Sequence, residues 1–389
     1  MSSQKFEKPI YLLLFGGLGC FLLSFILMGI APWTVLKSMY KQKQSVANPY
    51  YDENGKLSSI GRGKKIYIRE ACWHCHSQFV RPVAGEPFRY GPSSEAWESM
   101  YDVPQMYGTR RVGPDLSREA GRHPNDWHYA HIYNPRFVVP NSVMPGYPEL
   151  FQKTADGIKP TQEGEDLVAY LQSLGKYYEK EIQEVVYPKL FKIKGQTAAT
   201  EVVLARGSSL YEQNCIGCHG DRPSGSGKAE PFLKPRAADL IDCYISPSEA
   251  YSILVRGVLG SAMPSFREMP EQDLWALAHF VSKMGEDVKR NILDVYENRT
   301  QAQLTEGKKL YDSKCITCHG KEGEGDGMAS ASLNPRPKDF KRRVFGRVFF
   351  EKTLREGVPG SAMVSFSGLT QDEIKALHIY VTSLFNENL

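Results

Sequence analysis

Hydrophobic and polar positions divide this chain sharply near its start. From Ile10 to Ala31 (IYLLLFGGLGCFLLSFILMGIA) no charged side chain occurs. A helix needs about 20 apolar residues to cross a bilayer, so residues 10–31 predict one transmembrane helix. The run is longer than the apolar part of a cleaved leader, and Pro32 follows its one tempting cleavage point, so an uncleaved anchor is expected. Residues 1–9 precede it, and Trp33 sits where an interfacial aromatic would. Residues 32–58 are polar, with turn formers at Asn48-Pro49 and Asn54-Gly55, and read as a juxtamembrane linker.

Beyond residue 58 the apolar positions fall into three units of one design. Each opens with a helix-like stretch (Arg62–Ala71, Gly207–Asn214, Gly307–Lys314) and closes with an amphipathic one (Glu163–Leu174, Glu271–Met284, Gln371–Phe385). In the last, Ile374, Leu377, Val381 and Leu384 recur at three- and four-residue steps. Gly- and Pro-rich loops lie between, and nothing alternates like a sheet for long. The second and third units align without a gap at an offset of 100 residues, with roughly a third of positions identical. Leu210-Tyr211 matches Leu310-Tyr311, Pro235-Arg236 matches Pro335-Arg336, and Gly260-Ser-Ala-Met263 matches Gly360-Ser-Ala-Met363. The expected boundaries are 59–177, 204–286 and 304–389, with linkers at 178–203 and 287–303. The first unit is longer, and its insertion is expected around Glu86–Arg111.

The chemistry is carried by Cys-X-X-Cys-His, which occurs three times: Cys72-Trp-His-Cys75-His76, Cys215-Ile-Gly-Cys218-His219 and Cys315-Ile-Thr-Cys318-His319. Two cysteines three apart can both reach the vinyl groups of one porphyrin, and the adjacent histidine then supplies the proximal nitrogen to iron. A zinc site would want a second Cys or His pair in each unit, and a redox dithiol has no need of the histidine each time. Three covalently bound haem c groups are expected, in three class I-like cytochrome c domains of a mainly α protein. Met144, Met263 and Met363 recur before each closing helix and are the expected sixth ligands; Met100, Met106, Met269 and Met284 do not recur. Thioether ligation raises the reduction potential. Backbone carbonyls near Pro114, Pro235 and Pro335 are candidates to accept the free ring N–H of the proximal histidine; a plain turn proline is the alternative.

Composition alters this picture little. With 48 basic and 44 acidic side chains, nothing calls for nucleic acid as a partner. Eight cysteines, six of them in equal pairs, argue against a disulfide framework. Cys20 and Cys243 read as small buried hydrophobes. His128 and His131, three apart, could hold a metal but read more simply as surface or core histidines. Lys341-Arg342-Arg343 reads as a solvated face. No catalytic residue is identified: with His and Met on both faces, no iron keeps an open position. The chain is expected to move electrons without a substrate site of its own.

From Tyr67 to about Leu150 the sequence resembles the mono-haem subunit (CcoO) of the cbb-type cytochrome c oxidases. The residues are Tyr67-Ile-Arg-Glu-Ala-Cys72-Trp-His-Cys75-His76-Ser-Gln78-Phe-Val-Arg81-Pro82, then Arg89-Tyr90-Gly91, Arg111-Val-Gly-Pro114-Asp115-Leu116, Asp126-Trp127-His128, Asn134-Pro135-Arg136 and Met144-Pro145. The later units look like the tandem haem domains of the di-haem subunit (CcoP), so the whole resembles a fusion of the two. It departs from that family in having no second apolar run. The resemblance implies electrons passing from a donor cytochrome c or quinol-oxidising complex to a haem-copper catalytic membrane subunit. The expected order is the Cys315, Cys215 and then Cys72 haem. It also implies a single-pass protein of the bacterial inner membrane, its N-terminus cytoplasmic and its haem domains periplasmic. A cytochrome subunit of a nitric oxide reductase or another quinol-linked complex, and a multi-haem peroxidase, are the alternatives.

Overall fold

The computed structural model describes residues 4–35, 37, 47–83, 85–108, 110–155, 157–179, 196–297 and 299–386. Helix α1 (Gln4–Phe25) runs through a π-helical turn (Ile26–Ile30) and continues helically to residue 35. The apolar span is Ile10–Val35, four residues beyond the predicted end, with a mean hydropathy of 2.4 and no burial against the rest of the chain. It is the one such span among the described residues. Cys20 lies exposed on it, not in a protein core, because no other element packs there. Lys37 sits over the Trp33 ring at 4.7 Å.

The first unit is framed by α2 (Ser59–Arg69) and α4 (Gln162–Leu171), with α3 (Asn125–Tyr133) between. Ser58 and Thr161 cap α2 and α4 by accepting from the N–H of Gly61 and Gly164, satisfying donors a helix start leaves open. The two helices cross closely because Gly63 has no Cβ: one there would collide with the Asp166 carbonyl. Arg62, Ser59 and Gln162 all donate to the Asp166 carboxylate, whose side chain is 2% exposed. The insertion is tied down by one buried and one half-buried arginine. Arg118, 1% exposed, donates to Glu98 and to the carbonyls of Pro92 and Ser93. Arg111 reaches Glu86, Ser77 and the Phe79 carbonyl. A two-stranded hairpin, β1 (Phe151–Thr154) with β2 (Gly157–Pro160), was not apparent in the sequence, since four-residue strands are too short to alternate visibly. The end of the juxtamembrane stretch belongs to this unit: Lys64 lies over the Tyr50 ring at 4.3 Å, and Tyr50 donates to Asp102. Residues 36 and 38–46 of that stretch, and 180–195 of the next linker, lie outside the described residues.

The second unit comprises α5 (Glu201–Asn214), strand β3 (Cys243–Ile245), α6 (Pro247–Arg256) and α7 (Glu271–Met284). Helix α8 (Glu286–Glu297) occupies most of the 287–303 stretch read as linker, and packs on both β-strands of the following ladder and on the last helix. The third unit repeats the pattern as α9 (Gln301–Lys314), β4 (Arg343–Phe345), α10 (Arg347–Glu356) and α11 (Gln371–Ser383). As with α2 and α4, the first and last helices of each repeat touch at a glycine, Gly207 against Ala276 and Gly307 against Ala376.

Repeats two and three embrace about an approximate two-fold axis. Strands β3 and β4 pair antiparallel with Tyr244 opposite Val344, Cys243 opposite Phe345 and Ile245 opposite Arg343. The 100-residue offset maps the central pair onto itself and exchanges the two outer pairs. Ser246 N–H donates to the Arg342 carbonyl and Gly346 N–H to the Asp242 carbonyl, again reciprocally. Gly260 lies against Asn334-Pro335, and Gly360 against Lys234-Pro235. Arg343 is 7% exposed and bonds Glu249 across this interface at 3.0 Å, so the basic run is not a solvated face. Its neighbours Lys341 and Arg342 pair with Glu324 and Asp339.

The first unit packs on the second through an apolar seam. Phe232 meets Tyr133 and Phe151 at ring separations of 5.3 and 6.0 Å, and the Asp126 carboxylate accepts from Lys234 N–H at 2.7 Å. Gly217, inside the second haem motif, touches the Phe137 carbonyl.

Candidate functional site

All six motif cysteines, their three histidines and Met144, Met263 and Met363 line one continuous cavity of about 1520 Å³ that runs through the three units. In the repeats the motif starts where the first helix ends. Cys215 and Cys315 cap α5 and α9, their N–H groups bonding the carbonyls of Tyr211 and Tyr311, and one helical turn (Ile216–His219, Ile316–His319) follows. The Tyr211 and Tyr311 hydroxyls donate to the carbonyls of Gly220 and Gly320 at 2.9 and 2.7 Å, tying helix to motif. In the first unit the motif is reached through Ala71 in the left-handed region (φ 55°) and begins as a 3-10 turn, Cys72–His74.

Each histidine is oriented by a carbonyl at its Nδ1. His76 meets Pro114 at 2.8 Å, His219 meets Ala238 at 3.0 Å, and His319 meets Lys338 at 3.2 Å. The proline expectation therefore holds in the first unit and fails in the repeats, where the partner lies three residues further on. The reason is packing: Pro235 and Pro335 are held at the interface by Gly360 and Gly260. In the first unit Gly113 leaves the space the His76 ring occupies, which a Cβ would fill. A ring with Nδ1 so engaged has Nε2 left for a metal. Burial lowers the pKa of all three histidines, against the pull of the carbonyl bond, and so favours the neutral ligand form.

The methionine loops of the repeats are the same to the hydrogen bond. Val258 N–H donates to the Met263 carbonyl at 3.0 Å and Val358 N–H to that of Met363 at 2.9 Å. Ser261 and Ser361 each donate to the valine carbonyl and accept from the methionine N–H. Ser142 accepts from Met144 N–H in the first unit.

The donor set fits a c-type haem. The cysteines are unpaired, and burial pushes the thiols of Cys72 and Cys215 up to about 12 and those of Cys218 and Cys315 up to about 11. Such thiols are poor thiolates, unlike those of a redox dithiol or a zinc site. No group of three His, Cys, Asp or Glu suited to a bare metal ion occurs among the described residues. His279 and His378 are satisfied core histidines, bonded to the carbonyls of Thr197 and Phe345. His128 and His131 are not satisfied: with His123 they bring buried, unpartnered nitrogens to the cavity of the first unit. Their i, i+3 spacing was visible in the sequence; the involvement of His123 and Glu119, from the preceding loop, was not.

Known protein families match this chain in two parts. The family model for the cytochrome C oxidase mono-heme subunit/FixO matches residues 4–214. That for the cytochrome C oxidase cbb3-type subunit III matches twice, over 203–281 and 302–381. The chain is 23% identical over 255 residues to the cbb3-type cytochrome c oxidase subunit CcoP of Azospirillum brasilense, covering 62% of this chain and 82% of that one. It is 24% identical over 159 residues to subunit FixP of Sinorhizobium medicae, covering 37% and 48%. A solved chain of the Kuenenia stuttgartiensis reducing HAO-like protein complex matches half of this chain and all of that one at 23% identity, with a TM-score of 0.23. With the first family model spanning more than half its length, the chain belongs to the mono-heme subunit/FixO family and, with two subunit III-type units fused behind that part, is a membrane-anchored, electron-carrying c-type cytochrome subunit of a cbb3-type oxidase.

Proposed function

We propose that this chain holds three covalent haem c groups and carries single electrons through them to a haem-copper catalytic subunit. Cys72 and Cys75, Cys215 and Cys218, and Cys315 and Cys318 would form the thioether links. His76 with Met144, His219 with Met263, and His319 with Met363 would bind the three irons. The haems supply one-electron redox chemistry; the polypeptide orients each histidine through a carbonyl and walls the route from water. The observation that supports the reading is the single cavity lined by all three candidate ligand sets. Electrons would enter at the third unit, furthest along the chain from the anchor, pass to the second, and leave from the first. The donor is a cytochrome c or a quinol-oxidising complex on the periplasmic side of the inner membrane, and the N-terminus is cytoplasmic.

The test is purification in mild detergent. A haem-to-protein ratio of three is expected, together with a histidine-rich membrane subunit in the same complex. Replacing each cysteine pair by serine should remove one third of the covalent haem stain. Two haems, or a complex lacking a haem-copper subunit, would refute the reading. Protease digestion of intact spheroplasts checks the orientation: the haem units should be cut and the N-terminus spared.

A further inference from the structure

The cavity wall of the first unit carries polar atoms that neither electron transfer nor axial ligation uses. Helix α3 presents Trp127, His128 and His131, and the loop before it supplies Glu119 and His123. The rings of His123 and His131 stack on opposite sides of Trp127, at 3.8 and 4.6 Å with interplanar angles of 12° and 10°. This sandwich fixes both imidazoles by their faces and leaves their edges to the cavity. His123 Nδ1, His128 Nε2 and His131 Nδ1 are buried and make no hydrogen bond within the chain. His128, 3% exposed, lies 3.5 Å from Glu119, and His123 lies 4.0 Å from it, neither contact being a hydrogen bond. Buried polar atoms are rarely left unpaired, because each costs roughly 1–3 kcal/mol. Three on one wall of one cavity point to a ligand that brings acceptors. The repeats have no counterpart: their two core histidines, His279 and His378, are satisfied by carbonyls.

We propose that His123, His128 and His131 form the seat for the propionate carboxylates of the porphyrin attached at Cys72 and Cys75, each donating its unpartnered N–H. The inference rests on the proposed attachment of a haem to the first unit. Burial holds the three imidazoles neutral at physiological pH, and so each has one N–H and one lone pair. Stacking of His123 and His131 on Trp127, and the edge-on contact of His128 with it, set those N–H groups before the cofactor arrives, so little ordering entropy is lost on binding. A carboxylate favours the ferric state, and hydrogen-bond donors spread its charge. The seat therefore raises the potential of this haem above that of an otherwise identical site.

The experiment uses the full-length chain in detergent. Resonance Raman spectra are compared for the parent, His128→Phe, His131→Phe, and the amide variants His128→Gln and His131→Asn, which keep an N–H donor near the Nε2 and Nδ1 positions respectively. Covalent haem content comes first: loss of the Cys72-linked haem stain in the parent would refute the attachment itself, separately from the seat. With haem in place, the parent should show a propionate bending band that shifts on deuterium exchange. Each phenylalanine variant should move that band towards a free carboxylate and shift one of the haem potentials negative, while the amide variants stay close to the parent. Where a phenylalanine variant loses its haem, the deuterium shift of the parent and the amide variants decide. Absence of a deuterium-sensitive band, or equal shifts in amide and phenylalanine variants, would overturn the proposal.

Discussion

At the scale of single residues, three histidines do one job by two routes. The motif and the recurrent methionines stood out in the sequence because the proposed covalent attachment and axial ligation would demand fixed residue types at fixed spacing. The carbonyls of Ala238 and Lys338 were not, since any residue offers a carbonyl and only the loop path decides which one arrives. Replacing Met144, Met263 or Met363 by leucine should open one iron to carbon monoxide and lower one potential. Carbon monoxide difference spectra should give a third of the total haem in each variant; no binding in any of them would exclude that methionine as ligand. Glu119 supports a pH prediction. Burial raises its pKa from 4.5 to about 7, partly opposed by Arg122. A raised carboxyl pKa contributes stability that is full below 4.5 and is lost as pH climbs through about 7. Glu119→Gln should therefore gain on the parent between pH 4.5 and pH 8, by on the order of 3 kcal/mol. Thermal melts across that range check it, and parallel curves would refute it.

At the scale of elements, the framing helices could be read from periodicity, whereas the short strands and α8 could not. Cys243-Tyr244-Ile245 and Arg343-Val344-Phe345 are runs of three, and each becomes a strand only through the other. Arg343 misled for the same reason: a cation in a basic run looks solvated until Glu249, 94 residues away in sequence, is brought to it. The crossing of first and last helix is locked differently in the first and second units. Asp166, 2% exposed, receives bonds from Ser59, Arg62 and Gln162. In the second unit Arg206 and Asp273 make the corresponding pair at the surface, with side chains 53% and 18% exposed. Asp166→Ala should cost about 1–3 kcal/mol, as Ser59, Arg62 and Gln162 lose the buried charged acceptor they share. Asp273→Ala should cost less than about 1 kcal/mol, as exposed pairs do. Denaturant melts of the two variants decide, and equal losses would count against the contrast.

For the whole molecule, the absence of a second apolar run from the sequence left the attachment of the repeats open, and the interfaces supply it. Unit one grips unit two through Phe232 and Asp126, and unit two grips unit three through the two-fold contacts. Gly260 and Gly360, both at positive φ (81° and 84°), sit where each repeat meets the other. Gly260→Ala and Gly360→Ala should each destabilise this pair by about 1–3 kcal/mol, through strain at positive φ and collision with the facing backbone. Calorimetry should find the two losses similar; a loss in only one would break the symmetry argument.

The β3–β4 ladder carries one more implication. Because its register is self-complementary, either repeat released on its own would expose a strand matched to a second molecule of itself. An isolated repeat should then seek its twin, and what is an intramolecular handshake in this chain would become a homodimer.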